Sequence, residues 1–209
     1  MAVAPITSEA FNQGEPGLPV DQIKYRISGH ETFALRYAWL PKCVKAVAEN
    51  SYLFADEDKA MVVLGVGKNM VRAIRFWGEM TGAIESRGRG KDYAVSEFGR
   101  TIFDPSSGLD PFLEDDQTLW LLHWRLTTRQ KPLFAWDFLL NHWHEPELVP
   151  SVLISAGKRE LEKEGISLAE SSLRSHFSVF FHSYYSAKSL KGSSEESLDS
   201  PLVELGLVE

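Results

Sequence analysis

Three groups of side chains in this 209-residue sequence are of the types that handle phosphodiesters or metals. Asp110, Glu114, Asp115 and Asp116 cluster ahead of an apolar segment. Of these, Asp110, Glu114 and Asp116 are the best placed to hold Mg2+ or Mn2+ for backbone cleavage, since hard carboxylate oxygens are the ligands such ions need. Acids in front of a helix also favour its positive end, which accounts for them without chemistry. His30 and Glu31 form a second pair that could bind a metal or exchange protons, although a Glu at a helix start caps and a His often satisfies a turn. The third group, His142-Trp143-His144-Glu145, carries its imidazoles at i and i+2, on one side of a strand but about 200° apart on a helix. The preceding residues read as helix, so no shared metal is expected there. No nucleotide cofactor is expected either: Gly65-Val66-Gly67-Lys68 is too short for a phosphate-binding loop and runs into Asn69.

A different chemistry, binding to a polyanion, is written between Met61 and Lys91. Six cations (Lys68, Arg72, Arg75, Arg87, Arg89, Lys91) face two acids (Glu79, Glu85), a local charge of +4 in a chain of net charge −7. Such a reversal of sign suits DNA, while the overall acidity argues against indiscriminate coating. On a helix from Val66 to Thr81, Lys68, Arg72 and Arg75 fall on one face with Glu79, and Met70, Ala73, Ile74 and Trp77 gather opposite. Lys68, Asn69, Arg72, Arg75, Arg87, Arg89 and Lys91 are therefore the expected DNA contacts. The plain alternative is a solvated helix face beside a hairpin.

The elements that would position these groups follow in order. Ala55–Leu64, opening on acids, reads as the first helix of a helix-turn-helix, with Leu64–Gly67 as its turn. After Gly82, Ala83–Glu85 and Asp92–Val95 read as short strands joined by a glycine-rich basic tip, the wing. Tyr25–Ile27 could be a short strand, and Phe33–Asn50 a helix that Pro41 kinks or splits. Ser96–Phe103 closes the module as a brief helix. Thr118–Leu126 is apolar nearly all round, so it should be buried on most sides, with Trp120 as well as Trp77 in the core. Leu133–Trp143, Pro150–Gly165 and Ser172–Tyr185 are further helices, the last with Leu173, Phe177, Phe180, Phe181 and Tyr184 along one packing stripe.

The expected fold is mainly α: a winged helix (helix-turn-helix with a small β-hairpin wing) followed by a helical domain. Its parts are a loosely ordered arm at 1–22, the winged-helix module at 23–105, the helical domain at 106–190, and at 191–209 a linker leading into a segment that turns through Gly206 into a strand. Six Trp and twelve Phe within 44% hydrophobic residues supply a core. No apolar run of about eighteen residues and no secretion signal occur, so a cytoplasmic chain without membrane contact is expected. The single cysteine, Cys43, excludes a disulfide framework and reads as a small core residue.

Four strings, SGHETFALRYAWLPK at 28–42, LGVGKNMVRAIRFW at 64–77, FGRTIF at 98–103 and GLDPFLEDDQTLWLLHWRL at 108–126, together resemble the SspB-type component of bacterial single-stranded DNA phosphorothioation systems, a match spanning about 28–144. The resemblance implies a DNA-nicking protein of antiviral defence that lets sulfur enter the backbone. It also implies partners: a cysteine desulfurase, an ATPase and a phosphosulfate-reductase-like enzyme. It brings no catalytic motif to map onto these positions. Relatives of this type extend past an ending like LVELGLVE, so the chain is expected to be truncated. Two rival readings stand beside nicking: a non-enzymatic DNA-binding module that regulates or recruits, and a protein-interaction adaptor built on the acidic, aromatic-rich helical half.

Overall fold

In a computed structural model, residues 25–88, 90–185 and 200–208 are described. The arm at 1–22, most of the linker, and Arg89 lie outside them. Within the described residues the protein is mainly helical with one two-stranded sheet.

The first helix, α1 (Trp39–Glu49), begins six residues later than the apolar pattern suggested, because residues 33–36 have no regular structure and 37–38 form a turn. Pro41 consequently falls in the first helical turn, where its missing N–H would have had no acceptor, and the expected kink or split does not arise. α2 (Glu57–Leu64) starts on Asp56, whose carboxylate accepts from the Lys59 amide, and ends on Gly65 in the left-handed region. Gly67 then opens α3 (Lys68–Thr81), which buries Val71, Ala73, Ile74, Phe76, Trp77 and Met80, close to the apolar face that the 3.6-residue period marks. α1 comes so near to it that a β-carbon on Gly78 would sit 2.9 Å from the Cys43 sulfur.

β1 (Ile84–Ser86) and β2 (Tyr93–Val95) pair antiparallel, Ile84 opposite Val95 and Ser86 opposite Tyr93. The hairpin is pinned by Tyr93 N–H to the Ser51 carbonyl and by Ser96, whose hydroxyl donates to Gly82 O and caps α4 (Glu97–Phe103). The strand expected at Tyr25–Ile27 reduces to a single parallel bridge between Arg26 and Leu133.

α5 (Asp116–Thr127) departs most from expectation. Thr118, Leu119, Leu122 and Leu126 are buried, but Trp120 is 49% and Trp124 58% exposed, so Trp120 is not a core residue. α6 (Phe134–Asp137) continues into a π-helical turn over Phe138–His142, and α7 (Pro150–Lys163) and α8 (Glu170–Tyr184) follow. The α8 stripe packs as expected, with Phe181 half-buried at its edge. A 3-10 turn at Pro201–Leu205 ends on Gly206, and no strand follows at 207–208.

One buried cluster runs from Tyr25 to Leu202. At its centre Trp77 and Trp136 meet edge to face at 5.8 Å, and the Trp77 indole N–H donates to the Phe33 carbonyl at 3.1 Å. Tyr184 ties three helices: its hydroxyl accepts from the Trp136 indole at 3.0 Å and lies 2.9 Å from His123 Nδ1. Among the described residues no helix is long and apolar enough to cross a membrane.

Candidate nucleic-acid interface

The cationic face of α3 forms, but much of its charge is engaged within the fold. Glu57, at the start of α2, faces α3 across the turn. It takes a forked pair of hydrogen bonds from Arg72, Nε at 2.8 Å and Nη2 at 3.2 Å, and an ion pair from Lys68 at 3.0 Å. Arg72 first and Lys68 second hold the Glu57 carboxyl down at about 2, well below the usual range. Arg75 leans toward Glu79 at 3.7 Å, and the same carboxylate accepts from the Tyr93 hydroxyl at 2.9 Å and lies 3.8 Å from Arg26. Lys68 and Asn69 remain exposed at the first turn of α3, whereas Arg72 and Arg75 are half-buried.

The hairpin tip differs. Arg87 and Lys91 are exposed and have no ion pair among the described residues; Arg89, between them, lies outside those residues. The backbone reverses through Gly88 and Gly90, both at positive φ, and Arg87 N–H closes the turn onto the Asp92 carbonyl.

The acidic turn is built around backbone amides. Asp110 is buried, and its two oxygens accept from Glu114 N–H at 2.8 Å and Asp115 N–H at 3.1 Å, closing a loop in which Leu113 takes φ +60. Asp115 caps α5 by accepting from Gln117 N–H, while Glu114 and Asp116 are exposed. This geometry is a helix start with its donors satisfied.

His30 is engaged elsewhere. Its Nε2 lies 3.0 Å from Nδ1 of His176, whose Nε2 accepts from Ala135 N–H at 3.1 Å. Neutral His176 therefore keeps its proton on Nδ1 and donates to His30. The other nitrogen of His30, Nδ1, lies 3.1 Å from the Thr32 amide, and the ring also hydrogen-bonds the Ile27 backbone. Burial lowers the His30 pKa to about 4, and burial beside His30 holds His176 well below its ordinary value, so both rings stay neutral. Glu31 is half-buried at φ +50. Among the described residues no three His, Cys, Asp or Glu side chains converge as a metal site would require. In the third group, His142 lies 3.2 Å from Asp137, and neither His142 nor His144 joins a group of three possible ligands among the described residues.

A feature that the sequence leaves unmarked lies beside the hairpin. The C-terminal end of α3, β1 and α5 enclose a groove of about 740 Å3 whose lining includes Glu85, Leu121, Trp124, Arg125 and Arg129. Arg125 Nε–H donates to Thr81 O, and Arg129 donates to the carbonyls of Glu79, at 3.0 Å, and Met80, which satisfies the end of α3. Gly82 makes room: at φ +73 its β-carbon would strike the Arg125 guanidinium at 2.2 Å. The available signal was the solvent side of α5, where polar Gln117 and Thr128 share a face with Trp120 and Trp124.

No curated protein sequence matches the chain. Two solved structures do. A magnesium ion-bound SspB crystal structure is 31% identical, with a TM-score of 0.76 over 87% of this chain and 55% of that one. A second SspB crystal structure is 29% identical, with a TM-score of 0.77 over 89% and 57%. The SspB-type resemblance thus holds in three dimensions, and the chain spans little more than half the length of those structures. A family model described as a protein of unknown function, DUF4007, matches residues 27–209, and the chain belongs to that family.

Proposed function

We propose that this chain is the DNA-contacting part of an SspB-type component of a cytoplasmic phosphorothioation system. In this reading 23–105 is a winged helix, with α2 and α3 as the helix-turn-helix and β1–β2 as the wing, and 106–190 is a helical domain behind it. The observation that carries it is the order helix, turn, helix, hairpin, with exposed Lys68 and Asn69 opening α3 and exposed Arg87 and Lys91 at the hairpin tip. Similarity to SspB supports the system and, through it, nicking of DNA alongside a cysteine desulfurase, an ATPase and a phosphosulfate-reductase-like enzyme.

Mg2+ or Mn2+ would serve nicking by activating water and neutralising the leaving oxygen. The side chains of the described residues do not fit such an ion: no three carboxylate, imidazole or thiol groups converge among them, and His30 is engaged by His176. No step is routed through a metal at these residues. That same observation favours a second reading, in which this part of the protein places DNA for its partners and performs no cleavage itself.

Incubation with supercoiled plasmid, with and without Mg2+ or Mn2+, separates the two: nicked circles support the enzyme, and a gel shift without nicking supports the placing module. In either case Arg87→Ala/Lys91→Ala should weaken duplex binding and lower the salt slope by about one for each phosphate no longer neutralised. Unchanged affinity and slope in that variant would remove the wing from the interface.

A further inference from the structure

α5 presents an aromatic surface that the core does not use. Its buried side is complete with Thr118, Leu119, Leu122 and Leu126. Trp120 and Trp124, one helical turn apart, stand on the other side with Leu121, all exposed. The exposed half of each indole contributes nothing to folding, and contiguous exposed aromatics mark a binding surface.

The charges around the groove narrow what binds. Both guanidinium groups of the lining, Arg125 and Arg129, spend donors on the α3 carbonyls, Glu85 lines the groove with them, and Glu79 is already ringed by Arg26, Arg75 and Tyr93. Guanidinium groups with donors so committed, beside two carboxylates, have little left with which to hold a phosphate. The groove suits a flat, neutral ring with hydrogen-bonding edges, which can stack on Trp124 and meet Ser86, Thr128 or a remaining guanidinium N–H. The phosphate partners stand just outside, since Ser86 lines the groove and Arg87 is the next residue, with Lys91 across the tip.

We infer that this groove takes an unpaired nucleobase, stacked on Trp124, from a DNA strand whose backbone runs along the hairpin tip. This rests on the DNA-binding reading above and adds to it the form of DNA bound at this place: a single strand, a gap or an extruded base.

The test compares four fluorescently labelled probes: a roughly twelve-nucleotide thymidine oligomer, the same oligomer with abasic sugars, an intact duplex and a gapped duplex. Trp124→Ala should weaken binding of the thymidine oligomer and the gapped duplex roughly 5- to 150-fold, the range spanned by stacking one base on an aromatic side chain, with the intact duplex unchanged. Trp124→Phe should keep most of the affinity, the abasic oligomer should bind the wild type weakly, and the melting temperature should not move. If the wild type binds duplex but Trp124→Ala holds the thymidine oligomer as tightly as the wild type does, or loses all probes equally, the groove is not a base site and the DNA-binding reading stands. If the wild type binds none of the probes, both fail, and the indoles face a protein instead.

Discussion

Helices α3 and α5 cross the middle of the chain and treat their tryptophans in opposite ways. On α3, Trp77 is fully enclosed, hydrogen-bonded through its N–H and wedged against Trp136; on α5, Trp124 is more than half exposed. The polar side chains divide likewise. Those of α3 are drawn into ion pairs with Glu57 and Glu79, whereas α5 sends Arg125 across to the Thr81 carbonyl at the open end of α3. Residue type therefore does not say whether an aromatic or a cation serves the fold or a ligand; the neighbours that complete its surface do.

Four perturbations probe this division, beginning with the largest. Trp77→Ala should cost about 3–5 kcal/mol, the usual range for emptying a packed aromatic site, read as a large fall in melting temperature. A small fall would place Trp77 outside the structural class.

Acid comes next, because the His30 pair is packed against Phe76 of α3. In the unfolded chain this ring takes up a proton below 6.5, whereas in the folded protein it resists until about 4. The stability that His30 contributes should therefore be present above pH 6.5 and fall by about 3 kcal/mol as the pH drops to 4, with His176 adding to the fall in the same direction. His30→Gln should remove that ring's share of the fall and leave the share of His176, read as a shallower acid limb of a melting-temperature profile; an unchanged limb would show that the His30 ring is not held neutral.

Arg125→Met should cost about 1–3 kcal/mol, since it removes the donor from Thr81 O at the end of α3. Denaturant titration checks it, and a neutral result would mean that water replaces the guanidinium. Smallest of all, Trp124→Ala should change stability by no more than about 0.5 kcal/mol. A loss comparable to that of Trp77→Ala would erase the contrast between the two helices.

The sequence makes α3 legible because its apolar residues repeat every three to four positions on a single face, bounded by Gly67 and Gly82. The hairpin is legible for a similar local reason: Gly88 and Gly90 sit between two short alternating runs. α5 resists such reading because apolar residues occupy both its core side and its solvent side, so its pattern says buried while Trp120 is not. The candidate site was visible as a set of charges and invisible as an arrangement. Glu57 lies 15 residues from Arg72, and nothing in local spacing marks their forked contact. Nor does composition show that the Asp110 oxygens accept from the amides of Glu114 and Asp115, an arrangement that depends on a loop conformation.

The contact between His30 and His176 also orders the fold in time. The two rings are 146 residues apart, and the bridge from Arg26 to Leu133 likewise reaches far along the chain, so the segment at 25–37 cannot be locked until most of the sequence has been made. Closing loops of that length is entropically costly and slow compared with forming α3 or the hairpin. During synthesis, α2, α3 and the hairpin can be complete while their neighbour at 25–37 still waits for α8. A ribosome stalled before residue 170 would hold a chain whose basic hairpin exists and whose imidazole pair does not.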